Sequence, residues 1–258
     1  MLALWSTLVR LVGVAILAAV MGPAASSPQH QATRSVVPER GAVGRDVGDT
    51  SCASPLGTNP AFGVIGTTAG RPYYSSACLS SEYAWASSLS FPPEYYINLA
   101  NPGHGSTHWD QGGPKHCLPA ARYNIGCAFN YGYEAAAAAW GYVQAVGASG
   151  AGRWWLDVEI DNTWGYTAKG VAANIAVIRG ALHELRSHPH VAAGIYTETL
   201  WWWEITGDTR SFSTTPVWGG GAGSKRHATQ NCLAHSITGG PALLAQWISG
   251  GVDHDLAC

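Results

Sequence analysis

The sequence predicts an α/β protein, specifically a TIM-barrel-like (β/α) barrel with incomplete helices. Short apolar, β-rich runs alternate with helical stretches from about Gly44 to the C-terminus, which is typical of a parallel sheet. About eight such runs fall within ~215 residues, and this number suits one closed barrel. The rival architecture is an open doubly wound sheet. Against it, no Gly-x-Gly-x-x-Gly motif follows an early strand.

The strands are predicted from short runs rich in β-branched and aromatic residues. Several of these runs are apolar along their whole length, as expected for strands that helices cover. The first run is short and contains an Asp. The predicted strands are Gly44–Val47, Ala61–Gly66, Tyr95–Leu99, Tyr123–Phe129, Arg153–Glu159, Val191–Tyr196, Thr215–Gly219 and Ala242–Ile248.

Three helices are predicted between these strands. Ser81–Ser88 is short, and Tyr133–Val146 is rich in Ala, the residue with the highest helix propensity. Ala168–Ser187 has the clearest amphipathic pattern. Its apolar residues fall at three- and four-residue spacing: Val171, Ile175, Ile178, Leu182 and Leu185. The last third of the chain contains few helical segments, so we do not expect eight complete βα repeats.

The N-terminus predicts export. Arg10 precedes the apolar run Leu11–Met21, and the small residues Ala24-Ala25-Ser26-Ser27 then match a signal-peptidase site. We expect a signal peptide over residues 1–27, with an uncleaved N-terminal anchor as the alternative. A polar linker should span 28–41, and the barrel domain 42–258. No other apolar run is long enough to cross a bilayer, so we expect no membrane association after cleavage.

An even number of cysteines in an exported chain favours disulfides. Six cysteines allow 15 pairings, and we favour pairing between near neighbours. These pairs would be Cys52–Cys78, Cys117–Cys127 and Cys232–Cys258. No Cys-x-x-Cys spacing suggests a zinc or redox site.

The composition excludes several classes of function. The formal net charge is −2, and the 14 basic residues form no stripe for nucleic acid. The ten histidines occur without a His-Glu-x-x-His frame, so we expect no metal and no cofactor. We also expect a monomer.

Two carboxylates end an otherwise apolar strand. Asp157 and Glu159 are two residues apart, so their side chains point to the same face. In a parallel barrel that face is the interior, and the strand's C-terminal end opens into the active-site mouth. Two acids in this position are costly unless solvent or a ligand reaches them. Asp46 and Asp253, each weak alone, are candidates for the same mouth. Ordinary solvated acids at strand ends are the alternative interpretation.

Aromatic residues are abundant, with 12 Trp and 11 Tyr. Several fall at or just beyond predicted strand ends, where side chains line the cleft of a barrel. These candidates for substrate binding are Tyr131, Trp164, Tyr196, Trp218 and Trp247. Core packing is the alternative for each of them. The run Trp201-Trp202-Trp203 cannot bury all three rings on one face of a short helix, so one ring should be exposed.

Four motifs, taken in order, resemble glycoside hydrolase family 25, the N,O-diacetylmuramidases. They are Gly44-Arg45-Asp46-Val47, Leu156-Asp157-Val158-Glu159, Gly194-Ile195-Tyr196-Thr197, and Gln246-Trp247 leading to Val252-Asp253. The likeness covers roughly residues 42–258. It is closer to the actinobacterial secreted glycoside hydrolase-like proteins related to that family.

The resemblance implies a barrel of five βα units plus three further strands, with peptidoglycan as the substrate class. By position, Glu159 matches the general acid, and Asp157 matches the carboxylate that orients or stabilises the reacting sugar. Asp46 and Asp253 match supporting acids, and Gln246 lies among the substrate-binding residues. The chain departs from the family's pattern after Asp46, where it reads Val47-Gly48-Asp49-Thr50-Ser51-Cys52. It also carries Asp255 where the family often has Asn.

Two functions follow as hypotheses. The first is a secreted or wall-associated glycoside hydrolase that cleaves peptidoglycan, or a related N-acetylated glycan, with its carboxylate pair. The second is a non-catalytic carbohydrate-binding or wall-associated protein on the same barrel, since a fold does not determine an activity. The altered run after Asp46 favours the second.

Overall fold

Eight strands close into a barrel in sequence order in a computed structural model that describes residues 37–48, 52, 56–57, 59–109, 112–234 and 236–258. The predicted signal peptide and most of the predicted linker lie outside these residues. The strands are β1 Val43–Val47, β2 Gly63–Gly66, β3 Glu94–Asn98, β4 Gly152–Asp157, β5 Val191–Thr197, β6 Val217–Ala222, β7 Ala242–Ser249 and β8 Val252–Ala257. Strands β1 to β7 run parallel, and β8 lies antiparallel between β7 and β1.

A helix follows each strand from β2 to β6. In the described part of the chain these helices are α1 Leu79–Ser87, α2 Ile125–Ala145, α3 Ala168–Ser187, α4 Thr199–Thr206 and α5 Lys225–Leu233. The arrangement is therefore five βα units plus three strands, which confirms the predicted fold class.

The barrel has an inner and an outer apolar layer. On β4, Trp154 and Leu156 pack outward against the helices, whereas Trp155 packs with the Trp218 ring inside the barrel. Asp157 has the same parity as Trp155, so it also points inward. Strand alternation thus places this carboxyl on the interior face, as predicted.

Helices α2 and α3 approach each other unusually closely, through glycines. A Cβ atom on Gly132 would lie 2.0 Å from the Val177 carbonyl oxygen, and one on Gly180 would lie 1.9 Å from that of Phe129. Larger side chains at either position would force the helices apart. The two glycines therefore allow the backbones of α2 and α3 to pack directly against each other.

The predicted strand Tyr123–Phe129 is wrong. Its residues from Ile125 onward form the first turn of α2, and the Asn124 side chain caps that turn by accepting a hydrogen bond from the Cys127 amide at 3.0 Å. An Asn at the N-cap satisfies an amide that otherwise has no partner in the first turn. The residues of this segment fit the pattern of a short strand as well as that of a helix start.

The eighth strand is β8 rather than the predicted Tyr123–Phe129. By its polar residues alone, the β8 segment is more typical of a C-terminal turn than of a strand. Gly250 and Gly251 both have positive φ, 63° and 73°, and Ser249 pairs with Val252 across them. A two-residue loop with positive φ at both positions is the hairpin turn that matches the twist of antiparallel strands. The turn brings Asp253 and Asp255 back into the barrel wall.

All three predicted disulfides are present: Cys52–Cys78, Cys117–Cys127 and Cys232–Cys258. The third joins the C-terminal part of α5 to the residue that follows β8. It therefore ties down the strand that closes the barrel.

Removing that third disulfide should lower thermal stability. The bond closes a loop with a sequence separation of 26 residues, and its loss should cost about 3.5 kcal/mol through the entropy of the unfolded chain. For a barrel of this size we expect Cys232→Ser/Cys258→Ser to melt roughly 7–14 °C lower, as measured by calorimetry. Cys117→Ser/Cys127→Ser, with a separation of 10, should lose less. A melting temperature unchanged from wild type would contradict this expectation.

Candidate active site

A cleft of about 660 Å³ opens at the end of the barrel where β1 to β7 finish and β8 begins. This is the face on which barrel enzymes place their active sites. Its lining combines acids with aromatic rings. The acids are Asp46, Asp157, Glu159, Glu198 and Asp253, and the rings are Tyr96, Tyr196, Trp201, Trp218 and Trp247.

Asp157 is held in place by a short chain of hydrogen bonds from neighbouring strands. Asn98, its partner in the β3–β4 register, donates from Nδ2 to Asp157 Oδ2. The Asn98 amide oxygen in turn accepts from the Thr68 hydroxyl at 2.8 Å, and the Thr68 hydroxyl oxygen accepts from the Asn98 backbone N–H at 3.0 Å. All three side chains are buried, so the Asp157 carboxyl has a defined orientation.

The second oxygen of Asp157 requires a proton. This buried Oδ1 has no donor among the described residues, while the Glu159 carboxyl lies beside it. Burial, and then the negative charge of Glu159, hold the pKa of Asp157 well above its usual range. A protonated Asp157 satisfies both groups by donating a hydrogen bond to Glu159. The two carboxyls therefore form a proton-sharing pair.

Glu159 is the more accessible member of that pair. It lies two residues beyond the end of β4, and its backbone oxygen accepts a hydrogen bond from the Trp164 indole N–H at 2.7 Å. Burial raises the pKa of Glu159, and the charge of Asp161 raises it further. The hydrogen bond from Asp157 lowers it. A carboxyl with a raised pKa that faces an open cleft has the properties of a general acid.

Asp46 lies across the barrel from this pair in the same cleft. Gln246 Nε2 donates to both Asp46 oxygens at 3.2 Å, and Gln246 Oε1 accepts from the Tyr196 hydroxyl at 2.7 Å. Burial and the charge of Asp253 raise the pKa of Asp46 to about 7. The predicted residues Asp46, Tyr196, Gln246 and Asp253 thus meet at one end of the barrel.

The sequence analysis missed the role of Asp255. This residue is fully buried beneath Asp46, paired in register with Gly44 on one side and Gln246 on the other. Its pKa is well above the usual range because of burial and the charge of Asp46, although the Trp218 indole lowers it. Asp255 and Asp46 therefore form a second pair of neighbouring carboxyls, in which burial favours the protonated form of Asp255. Had 252–257 been interpreted as a strand, its alternation would have placed Asp253 and Asp255 on one face.

Two of the predicted aromatic residues do not line the cleft. Tyr131 lies on α2 rather than beyond a strand, because the segment before it is helical, and its ring is buried beside Tyr73. Trp164 is buried and supports the Glu159 backbone instead of facing a ligand. The remaining predicted residues Tyr196, Trp218, Gln246 and Trp247 do line it.

The tryptophan run on α4 divides as expected for a short helix. Trp202 is fully buried, Trp201 lines the cleft, and Trp203 is 61% exposed. The cleft also contains residues that the sequence did not suggest. These residues are Tyr96, Asn98 and Glu198. Tyr96 and Asn98 are two apart on β3 and share its inward face, and Glu198 directly follows the end of β5.

The described residues contain no group of three or more His, Cys, Asp or Glu side chains suited to a metal ion. Within the same part of the chain, no helix is long and apolar enough to cross a membrane.

Several solved structures share this barrel. A family GH25 lysozyme from Aspergillus fumigatus superposes with a TM-score of 0.52 at 18% identity, covering 84% of this chain and 94% of that one. A bacterial lysozyme from Streptomyces coelicolor gives 0.51 at 16% identity, covering 84% and 92%. This chain therefore has the same barrel fold as these lysozymes.

The modular autolysin LytC from Streptococcus pneumoniae, in complex with a synthetic peptidoglycan ligand, gives a TM-score of 0.51 at 10% identity. The match covers 83% of this chain and 46% of that one. No protein-family model matches the sequence, and no curated protein does either. At these identities the likeness concerns the fold alone.

Proposed function

We propose that this protein is a secreted or cell-wall-associated glycoside hydrolase that cleaves glycosidic bonds in peptidoglycan or a related N-acetylated glycan. The observation that carries the proposal is the pair formed by Asp157 and Glu159. It combines a buried, oriented carboxyl with an accessible one of raised pKa, at the open end of a barrel. Glycoside cleavage uses two carboxyl groups in different roles, one as the general acid and one that orients or stabilises the reacting sugar.

Glu159 acts as the general acid in this proposal. Its proton passes to the glycosidic oxygen while the bond between that oxygen and the anomeric carbon breaks, leaving an alcohol and an oxocarbenium-like centre. Asp157, fixed by Asn98, orients the sugar or its N-acetyl group. Once Glu159 has given up its proton, the hydrogen bond from Asp157 spreads the resulting negative charge over the pair, which stabilises the positive charge on the sugar. Water then adds to the anomeric carbon and returns a proton to Glu159.

The opposite wall positions the glycan. Asp46, Gln246 and Tyr196 form a hydrogen-bonded row whose polar atoms face the cleft. Trp201 is the partly exposed tryptophan of the cleft and supplies an apolar surface against which a sugar ring packs, whereas Trp218 and Trp247 are buried in its wall. The peptidoglycan ligand bound by LytC, which has a similar barrel, supports the same class of substrate here.

Export is supported by the predicted signal peptide and by three disulfides, which persist in oxidising compartments. The proposal includes a monomer without metal or cofactor. The particular kinship with actinobacterial secreted proteins stays a prediction of the sequence.

The test is release of reducing ends from purified peptidoglycan by the protein lacking residues 1–27. We expect activity at acid pH that falls as pH rises, because Glu159 donates only while protonated and its raised pKa extends that range upward. Rates across about pH 4–8 measure this. Saturable glycan binding with no reducing ends at any pH would overturn hydrolysis and support the carbohydrate-binding alternative.

A further inference from the structure

A second pocket of about 410 Å³ adjoins the cleft. Its walls are the loops that follow β2, β3 and β4, and two of these loops also line the cleft. In the loop after β2, Gly70 lines the cleft and Arg71 lines the pocket. In the loop after β4, Glu159 lines the cleft and Asp161 lines the pocket. The pocket therefore lies next to Glu159 along these loops, within reach of a substituent on a sugar bound in the cleft.

The floor of the pocket contains a rigid pair of rings. Tyr73 and His108 stack with ring centroids 3.8 Å apart and planes 4° from parallel. The Tyr73 hydroxyl donates to the Tyr131 carbonyl at 2.7 Å, and the Tyr142 hydroxyl donates to the Tyr73 carbonyl at 2.8 Å. These contacts fix the Tyr73 ring before any ligand arrives.

The backbone of Tyr73 adopts an unfavourable conformation to achieve this. Its φ is 67°, in the left-handed region that a bulky side chain rarely occupies. Such strain persists where surrounding contacts enforce it, and it concentrates at ligand sites. Here those contacts are the two hydrogen bonds and the stack on His108.

Charge in the pocket is not neutralised internally. The exposed Arg71 guanidinium lies 3.8 Å from the centre of the Tyr74 ring, which orients it. Among the residues that the structure describes, neither Arg71 nor the exposed Asp161 takes part in an ion pair. The pocket therefore presents an oriented cation and a separate anion to a ligand.

We propose that this pocket is a subsite for the acidic stem peptide that peptidoglycan carries on its sugar, with Arg71 binding a peptide carboxylate. The Tyr73–His108 stack packs against the peptide, and Asp161 accepts an amine of a diamino acid. A peptide explains the charges better than another sugar does, because the glycan backbone is largely neutral. The inference rests on the proposed function and specifies the form of substrate it takes.

Binding to the full barrel in a Glu159→Gln background tests the subsite without turnover. Calorimetry would compare a muropeptide that carries its stem peptide with the same sugar stripped of peptide. We expect the stem peptide to tighten binding. Arg71→Ala should weaken binding of the muropeptide roughly three- to ten-fold and leave binding of the peptide-free sugar unchanged. Arg71→Lys should restore part of it. Arg122→Ala is the matched control, because Arg122 also lies over a tyrosine, at 5.2 Å from the Tyr123 ring centre, yet outside this pocket.

The outcomes separate this inference from the proposed hydrolysis. Equal affinity of Arg71→Ala and its parent for the muropeptide would overturn the subsite, whatever the wild-type protein cleaves. Arg71-dependent binding in the Glu159→Gln background, together with no release of reducing ends by the protein with Glu159 intact, would support the subsite and overturn hydrolysis. Equal loss of affinity for both ligands would overturn the assignment to peptide.

Discussion

Glu159→Gln should abolish glycan hydrolysis while leaving the barrel folded. Glutamine keeps the shape of the side chain and its contact with Asp157, but it has no proton to donate to a glycosidic oxygen. Loss of a general acid lowers turnover by roughly 10²–10⁴-fold. The measurement is the rate of reducing-end release from peptidoglycan at the acid end of the pH range, together with the thermal unfolding of both proteins.

Glu204→Gln is the control for this substitution. Glu204 is a half-buried acid on α4 outside the cleft, so its replacement removes a comparable charge without touching the site. We expect it to retain the wild-type rate. A Glu159→Gln variant that hydrolyses glycan as fast as wild type would contradict the assigned role, and an unfolded one would be distinguished by its melting curve.

The carboxylate pair could be predicted from the sequence because it ends an apolar strand. Trp154, Trp155 and Leu156 are buried on the two faces of β4, so the parity of Asp157 and its entry into the barrel follow from strand geometry alone. What the sequence could not supply is the environment. Asn98 is 59 residues away from Asp157 along the chain, and only the β3–β4 register brings the two together.

Strand β8 illustrates the opposite case. Its inward side chains, Asp253 and Asp255, are polar because they form part of the site. Consequently the hydrophobic alternation that identifies a strand is absent where the function lies. The predicted strand around Asn124 is wrong for a different reason. The local sequence fits both a strand and a helix start, and the capping hydrogen bond that decides between them is visible only in three dimensions.

The interior of the barrel mouth therefore holds two carboxyl pairs, Asp157 with Glu159 and Asp46 with Asp255. In each pair the deeper carboxyl has a pKa raised well above its usual range, first of all by burial. The pairs differ in their neighbours, since Asp157 contacts the general acid and Asp255 contacts a supporting acid. This difference allows their contributions to stability and to activity to be separated.

Asp157→Asn and Asp255→Asn should both stabilise the fold at neutral pH, but only the first should impair hydrolysis severely. The folded chain keeps a proton on each Asp that the unfolded chain releases. The contribution of each protonated Asp to the free energy of unfolding is therefore complete below the ordinary pKa of Asp. It is lost as the pH rises towards the raised pKa of the folded state. An asparagine amide donates the same hydrogen bond at every pH. We expect each variant to exceed wild type by about 1–3 kcal/mol in free energy of unfolding near pH 8, measured with urea, and by little near pH 4.

Activity distinguishes the two variants. Asp157→Asn removes the carboxyl that orients the sugar and shares its proton with Glu159, and it should lower turnover by about 10²-fold, whereas Asp255→Asn acts only through Asp46 and should lower it less than ten-fold. Because both substitutions relieve a buried carboxyl, a shared gain in stability with unequal losses of activity would separate the two roles. Wild-type-like stability of both variants near pH 8 would show that the fold does not raise the pKa of either Asp. Equal losses of activity would instead place Asp255 among the residues on which the chemistry directly depends.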